Sequence, residues 1–436
     1  MNRVIEILRS GSWLTRERIR LVAAALLIAS AAGFLFLVVT AHGAVDLQGR
    51  PLGTDFSNVY AAGAYGLDGN ANAAFDPPQQ FAREQAIFGP ATQFYGWHYP
   101  PYFLFVAAAL ALMPYGLALT VWLAATMGLY LWVMWAIVLP SSRARGEGHG
   151  DYLWLLLALA FPAVLIDVGH GQNGFLTAAL IGGALVMLDR RPIVAGILFG
   201  LLVYKPQYGL LLPLVLAVSG RWKCFGAAAA TVALLTIATT LTFGVSVWHA
   251  FLISTHFTRT VVFEQGNTGW YKIQSVFAWA RMWGASIPLA YALQGIATVA
   301  VGGAIVLLWR GAARFSLKAA ALCLATILAT PYSFDYDMMV LAPAIAWLAA
   351  DGLEYGFAPW EKTVLAALWL VPLVARSTAE LTLIPLGVPV MLATFVLVLQ
   401  RGEVIAALLR LTKRMVFSGA TATMLESAGG DSRGGK

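Results

Sequence analysis

Apolar stretches and short polar turns alternate along the chain from residue 21 to residue 400. Most stretches approach the ~20 residues that an α-helix needs to cross the hydrocarbon core of a bilayer. After a first stretch at 21–41, others lie at about 152–168, 171–188, 192–205, 206–219, 223–247, 285–309, 317–331, 336–350, 359–376 and 381–400. The pattern predicts an all-α, polytopic membrane bundle of about 12 transmembrane helices, within a range of roughly 10 to 13.

The segment at 100–139 leaves the helix number open. It is long enough for two helices separated by the Met-Pro-Tyr-Gly sequence at 113–116. An odd number of crossings is needed, however, if the basic turn at 140–151 lies on the same side as the other basic turns. Either 101–113 forms a short helix that enters the bilayer without crossing it, or a helix elsewhere is broken. Non-helical backbone at membrane depth is tolerated where it lines a cavity walled by protein.

The composition is that of a membrane protein with one domain. The 436 residues are 60% hydrophobic and 11% charged, whereas a typical soluble domain has about 25% charged residues. No polar stretch is long enough for a second soluble domain. We therefore expect a single membrane domain at 1–415 and a flexible cytoplasmic tail at 416–436.

The formal net charge of +7 reflects basic residues placed in short turns. Lys and Arg are enriched in the cytoplasmic loops of membrane proteins. The basic groups are the first 20 residues, with five arginines, and the turns at 189–191, 221–223, 310–318 and 401–414. We expect a multi-pass protein of the inner (cytoplasmic) membrane with both termini in the cytoplasm, and no nucleic-acid partner.

The longest polar stretch, 42–97, carries five carboxylates against two arginines. Because it is poor in basic residues, we place it outside, as a large external loop that contains interfacial helices. The turns at 168–173, 204–207, 248–272, 331–337 and 377–380 alternate with the basic turns and are then external as well.

The external turns hold carboxylate, amide, imidazole and aromatic groups at the membrane edges, and not mainly Lys and Arg as the basic turns do. Ionisable groups near hydrocarbon normally face a bundle interior or water. We therefore predict that these turns meet in one cavity that faces outward. The candidate residues are Asp55, Asn58, Tyr60, Trp97, His98, Tyr99, His170, Gln172, Asn173, Tyr204, Lys205, His256, Arg259, Tyr332, Asp335 and Asp337.

Each candidate also has a structural interpretation. Asp55 could cap a helix, and the aromatic residues could anchor helices at the membrane interface. Lys205 could extend its ammonium group to the interface, although the proline after it would interrupt a helix. Histidines such as His170 and His256 are more often structural than catalytic. The Asp-x-Asp pair at 335–337 is a weak pattern for a divalent cation, and we expect no metal and no cofactor.

Four segments carry a resemblance to a known family. They are DFSNVYAAGAYG from residue 55, FYGWHYPPYFLF from residue 94, GHGQNGFLTAALIGGALVMLDRRPIVAGILFGLLVYKPQYGLLLPL from residue 169, and TPYSFDYDMMVLAPA from residue 330. They contain Gly-Gln-x-Gly, Ala-Gly-x-x-x-Gly and Lys-Pro elements in that order. With these motifs the chain resembles glycosyltransferase family 87, integral membrane enzymes of the GT-C type.

The resemblance implies inverting transfer of mannose or a related sugar from a polyprenyl-phosphate donor to a hydroxyl of a lipid-linked or cell-envelope glycan. The reaction would take place at the outer face of the cytoplasmic membrane. In such enzymes the acidic residue of the first external loop acts as the base, and Asp55 is the matching position. The better-known mannosyltransferases of the family carry histidine where this chain has Asp-Tyr-Asp at 335–337, so the sugar and the acceptor stay open.

This chemistry needs a carboxylate that accepts the proton of the hydroxyl and cations that stabilise the departing phosphate. Asp55 is the candidate base. Lys205 and Arg259, followed by His256 and His170, are candidate phosphate ligands, and the other residues are candidates for binding sugar and acceptor. A polytopic transporter or lipid flippase is the alternative, but the sequence shows no internal repeat of the kind expected for a transporter.

Overall fold

The computed structural model describes residues 2–144 and 152–405. Within these segments, nineteen α-helices are joined by 3-10 turns and one π turn. The α-helices are α1 Asn2–Ser10, α2 Arg16–Val39, α3 Phe56–Leu67, α4 Pro77–Phe88, α5 Leu104–Ala111, α6 Tyr115–Ala144, α7 Leu153–Leu159, α8 Pro162–His170, α9 Gly174–Met187, α10 Pro192–Leu201, α11 Leu212–Val218, α12 Trp222–Phe243, α13 Ser246–Phe257, α14 Val276–Met282, α15 Ile287–Arg310, α16 Phe315–Leu328, α17 Leu341–Tyr355, α18 Glu361–Thr382 and α19 Gly387–Arg401. The predicted tail at 416–436 lies outside the described residues.

The prediction of an all-α membrane bundle is confirmed, but that of about 12 crossings is not. In the described segments, six helices are long and apolar enough to cross a membrane: α2, α6, α12, α15, α17 with the 3-10 turn before it, and α18. The pair α7 and α8, bent by 45°, makes a seventh if it counts as one span. Six further apolar helices have 10–17 residues and are too short for a full span by themselves.

The segment at 100–139 follows the short-helix alternative. A 3-10 turn at Pro101–Phe103 continues into α5, which ends at Ala111, so the whole element is roughly 16 Å long. The long helix of this region is α6. Two helices, α3 and α4, and a 3-10 turn at Ala71–Phe75 occupy the polar stretch predicted as the first external loop, and α3 packs against α5.

Two short helices, α9 and α16, form the centre of the bundle. Almost all of their residues are buried, as expected for helices that are apolar around their whole circumference. Helix α16 packs against α15, α17 and α19, and α9 packs against α6 and α10. Each has 14 residues and is therefore only ~21 Å long. The polar turns that follow or precede them consequently lie within the bundle and not beyond it.

The basic turns gather at one end, which we call the basic end. Arg401 contacts Asp351 at 2.6 Å and Glu361 at 2.5 Å, and Arg314 contacts Asp351 at 2.7 Å. The arginines come from the predicted cytoplasmic turns at 310–318 and 401–414, Asp351 lies near the end of α17, and Glu361 is the first residue of α18. The arrangement agrees with the alternation of basic and polar turns, while the assignment of this end to the cytoplasm stays a prediction.

Two glycines allow α10 to lie directly on α12. A Cβ atom at Gly196 would be 2.4 Å from the carbonyl oxygen of Cys224, and one at Gly200 would be 2.6 Å from the Cβ atom of Thr231. Small residues at this spacing let membrane helices approach closely. The Ala-Gly-x-x-x-Gly element therefore has a packing role.

We expect the Gly200→Leu variant to be less stable than the natural protein, because the new side chain would push α10 away from α12. Overpacking of this kind typically costs about 1–3 kcal/mol, which thermal unfolding in detergent records as a lower melting temperature. Gly226→Leu on α12 is the control, since a Cβ atom there meets nothing within 4 Å. Equal melting temperatures of the two variants would contradict the packing role.

Candidate active site

A cavity of about 710 Å³ lies at the opposite end of the bundle, the polar end. Its wall comes from the start of α3, the segment at 93–100, the turn between α8 and α9, the bend after α10 and the turns at 254–272 and 331–337. We call it the main cavity. The predicted residues that line it are Asp55, Asn58, His98, Tyr99, His170, Gln172, Tyr204, Lys205, Arg259, Tyr332 and Asp337.

Five predicted residues are not brought to this wall: Tyr60, Trp97, Asn173, His256 and Asp335. The hydroxyl of Tyr60 donates to the carbonyl oxygen of Met113 at 2.8 Å, and Trp97 and Asn173 are buried in the interior. His256 is exposed on α13, because the opposite face of that helix packs toward the cavity. The structure thus gives His256 no part in the site.

Asp55 immediately precedes α3, yet its side chain does not cap that helix. Its Oδ2 atom accepts a hydrogen bond from Nε2 of Gln172 at 2.7 Å, and Oδ1 lies 3.9 Å from Nδ1 of His170. Its backbone N–H donates to the carbonyl oxygen of His170 at 2.9 Å. The side chain is 23% exposed. A helix cap therefore does not describe this carboxylate, which faces the main cavity.

Gln172 is held so that its amide nitrogen points to the carboxylate. Its Oε1 atom accepts hydrogen bonds from the hydroxyl of Tyr99 and from the backbone N–H of Asn173, both at 3.1 Å. Because the oxygen of this amide is occupied, the nitrogen is the group left for Asp55. The side chain of Gln172 thus links the segment at 93–100 to the start of α3.

The turn between α8 and α9 is fixed from inside the bundle by Asp167, which is fully buried. Its carboxylate accepts the backbone N–H groups of Gly174 at 2.8 Å and Phe175 at 3.1 Å. These N–H groups belong to the first turn of α9 and have no partner within the helix. Gly171, with a φ of +62°, ends α8 in the left-handed conformation. Asp167 is therefore a structural residue that sets the position of Gln172.

Lys205 and Asp337 form a buried ion pair in the wall. Their Nζ and Oδ1 atoms are 2.6 Å apart, and their side chains are 6% and 3% exposed. The second carboxylate oxygen of Asp337 accepts the backbone N–H of Phe334 at 2.9 Å. The ammonium group is thus already matched by a negative charge, and Lys205 does not extend toward the bilayer surface.

The sequence analysis missed three cations that line the main cavity: Lys272, Arg376 and Arg50, the last of which is paired with Asp46 at 2.8 Å. The Nε atom of Arg376 contacts Oδ2 of Asp335 at 2.6 Å. Burial, together with the nearby positive charge of Arg376, lowers the pKa of Lys272. An arginine within an apolar helix is costly unless it faces polar partners. In the sequence, however, Arg376 stands at the end of the predicted apolar stretch at 359–376, so its place within α18 became evident only from the structure.

The Asp-x-Asp pair is divided between these cations, because Asp335 contacts Arg376 and Asp337 contacts Lys205. In the part of the chain that the structure describes, no three His, Cys, Asp or Glu side chains are grouped as metal ligands would be. The two carboxylates thus position the cationic side chains of the cavity wall.

Glu84 on α4 is fully buried and binds the segment at 93–100 of the cavity wall. Its carboxylate accepts the backbone N–H groups of Tyr95 at 2.9 Å and Gly96 at 3.1 Å. Burial raises its pKa to about 7. Farther along the same segment, burial lowers the pKa of His98 to about 4, so this imidazole is neutral at neutral pH.

The comparisons with known proteins connect this site to an enzyme family. A family model for glycosyltransferase family 87 matches residues 97–331, more than half of the chain. The chain belongs to glycosyltransferase family 87. Its resemblance to that family is thus confirmed, and the protein is a membrane glycosyltransferase. No curated protein and no solved structure matches the chain. Asp55 and the aspartates at 335 and 337 lie outside the matched region of this glycosyltransferase.

Replacing only Lys205 by methionine is expected to destabilise the glycosyltransferase by about 3–5 kcal/mol, because the buried Asp337 carboxylate would lose its partner. The double variant Lys205→Met/Asp337→Asn should recover much of this loss. Thermal unfolding of the single and double variants measures the coupling. A double variant that is no more stable than Lys205→Met would contradict a paired structural role.

The raised pKa of Glu84 predicts a pH dependence of stability. Between the ordinary value of about 4.5 and the folded value of about 7, the folded state binds the proton more tightly than the unfolded state. Stability attributable to this group should therefore fall as the pH rises through that range. The melting temperature of Glu84→Gln should lack this component, whereas Asp68→Asn, at an exposed carboxylate of the same polar stretch, should keep it.

Proposed function

We propose that this membrane glycosyltransferase transfers a sugar, with mannose as the first candidate, from a polyprenyl-phosphate donor to a hydroxyl of a lipid-linked or cell-envelope glycan. The observation that carries the proposal is the Asp55 carboxylate, which is free of helix capping and faces a cavity that also contains cationic side chains. The cavity volume of about 710 Å³ lies within the roughly 300–1,000 Å³ of small-molecule sites.

In the proposed step, an oxygen of Asp55 accepts the proton of the acceptor hydroxyl while the hydroxyl oxygen bonds to the anomeric carbon. The bond from the anomeric carbon to the phosphate oxygen breaks on the opposite face, so the configuration inverts. Its electron pair leaves with the polyprenyl phosphate. The hydrogen bond from Gln172 occupies one carboxylate oxygen and leaves the other to accept the proton.

The departing phosphate requires positive charge in a water-poor setting. Of the cations predicted from the sequence, Lys205 is neutralised by Asp337, whereas Arg259 has a 61% exposed side chain and only a 3.6 Å contact with Glu264. Lys272 and Arg376 line the same cavity. We therefore assign the phosphate to Arg259, Lys272 and Arg376, with Lys205 as a positioning residue.

The other lining residues supply surfaces for sugar and acceptor. Tyr99, Tyr204 and Tyr332 present aromatic rings, whose apolar faces match the C–H surface of a pyranose. His170 lies beside Asp55, and His98 and Gln172 lie in the same wall. The buried Oδ1 atom of Asn58 has no hydrogen-bond partner among the described residues, so it is ready to accept one from a sugar hydroxyl.

A polytopic transporter or flippase of a lipid-linked or small polar substrate is the alternative function. Family membership favours the enzyme. Following the distribution of basic turns, the proposed setting is the inner membrane, with the main cavity on the external face. A polyprenyl-phosphate donor suits this setting, because a soluble nucleotide sugar would call for a cytosolic phosphate-binding domain.

Asp55→Asn is expected to reduce sugar transfer by roughly 10²–10⁴-fold, the usual contribution of a positioned general base. The assay supplies purified protein with radiolabelled polyprenyl-phosphate mannose and extracted envelope lipids, and it measures the release of polyprenyl phosphate. Asp68→Asn is the matched control, because that carboxylate is exposed and paired with Arg83. Unimpaired transfer by Asp55→Asn would remove the base assignment. Absence of any phosphate release by the natural protein would favour transport.

A further inference from the structure

A second cavity of about 390 Å³ adjoins the main cavity. Its wall comes from the end of α2, the segment at 46–54, α8 and α18. The apolar lining consists of Leu37, Pro51, Leu52, Pro162, Leu165, Ile166, Pro372 and Leu373, and the polar lining includes Asp46, Asp335 and Ser377. The two carboxylates are each paired with an arginine, Asp46 with Arg50 and Asp335 with Arg376, so the aliphatic and proline side chains are the lining that suits a hydrocarbon chain.

Four residues line both cavities: Arg50, Thr54, His170 and Arg376. They form a polar boundary, in which Nδ1 of His170 and the hydroxyl of Thr54 are 2.7 Å apart. Asp55 follows Thr54 in the chain and lines only the main cavity. An elongated molecule that crosses this boundary would therefore have its polar part beside Asp55 and its apolar part among the leucines.

Arg376 is placed to bind an anion at the boundary. Its Nε atom contacts Asp335 at 2.6 Å, and one terminal nitrogen is 3.5 Å from Nε2 of His170. A guanidinium group has five N–H donors, so this partnership leaves donors for a ligand. Arginine matches the geometry of phosphate oxygens particularly well. Lys272 adds a second positive charge from the side of the main cavity.

The apolar part of the second cavity borders surfaces that a bilayer would cover. Within α2, Ala23 alone is buried, and this helix is long and apolar enough to span a membrane. Leu373 on α18 is 44% exposed. A hydrocarbon chain in the surrounding lipid therefore has a route between α2, α8 and α18 to the polar boundary.

We propose that the second cavity binds the hydrocarbon chain of the polyprenyl phosphate, with the phosphate against Arg376 and the sugar in the main cavity beside Asp55. This assignment rests on the proposed function and adds a location for each part of the donor. It explains why the two cavities share an arginine. The acceptor hydroxyl then approaches from the main cavity, on the side of the sugar opposite the phosphate.

The test fills the second cavity without touching the main one. Leu373→Trp places an indole in the cavity, and Val374→Trp is the matched control, because Val374 is the next residue of α18, is similarly exposed at 42%, and does not line the cavity. The probe is radiolabelled polyprenyl phosphate without a sugar, and its binding to the purified protein is measured directly. We expect Leu373→Trp to weaken binding by about tenfold or more, since it displaces several methylene groups of the chain. Val374→Trp should stay within twofold of the natural protein.

A second pair of variants tests the phosphate contact. Arg376→Gln should weaken binding of the same probe by about tenfold or more, as expected for the loss of a charge-assisted hydrogen bond. Because this change leaves the buried Asp335 unpaired, Arg376→Gln/Asp335→Asn removes the guanidinium group without leaving an unpaired carboxylate. It should show the same weakening, and its melting temperature verifies the fold.

The outcomes separate this inference from the proposed function. If Leu373→Trp and the double variant both bind polyprenyl phosphate as tightly as the natural protein does, and sugar transfer is intact, the proposed location of the donor is wrong. The proposed reaction would still stand. Failure of the natural protein to bind polyprenyl phosphate would overturn both the location and the donor class. Weaker binding in both variants but not in Val374→Trp supports the inference.

Discussion

Two hydrogen bonds between Asp55 and the turn at 170–172 determine where the candidate base lies. One joins the backbone N–H of Asp55 to the carbonyl oxygen of His170, and the other joins Gln172 to the carboxylate. The turn itself is held by Asp167 at the start of α9, inside the bundle. A buried polar group that loses its hydrogen-bond partner costs about 1–3 kcal/mol, so breaking either hydrogen bond would destabilise this arrangement. A residue of a long polar stretch thus takes its position from the protein core.

The predicted type of fold is confirmed and the predicted number of crossings is not, for one physical reason. Hydrophobicity shows that a segment avoids water, but it does not distinguish contact with lipid from contact with protein. Helix α16 is apolar on all sides because other helices enclose it, and α10 ends at Leu201, where 3-10 turns around Lys205 replace it. The same short helices allow polar turns to meet within the bundle, so the unconfirmed number of crossings and the presence of the main cavity share an origin.

The candidate site was predictable where polar residues interrupt apolar stretches, as at Gln172, Lys205 and Asp337. The prediction was incomplete where the outcome depends on helix rotation or on residues inside a stretch. His256 lies on α13, the helix that also carries cavity-lining side chains such as Ser254. Only packing determines which face of this helix turns toward the main cavity. Arg376 ended an apolar stretch and resembled an ordinary boundary residue, although its guanidinium group lies against Asp335.

The partners of the carboxylates distinguish the one that is suited to accept a proton. Asp335 and Asp337 are each held against a cation, and an ion pair commits the carboxylate to that partner in a low-dielectric wall. Among the described residues, Asp55 has no lysine or arginine nitrogen within 4.0 Å, and its short contact is with the neutral amide of Gln172 at 2.7 Å. An amide orients the carboxylate without neutralising it. An incoming hydroxyl in the main cavity therefore meets a carboxylate that the protein has positioned without a direct ion pair to lysine or arginine.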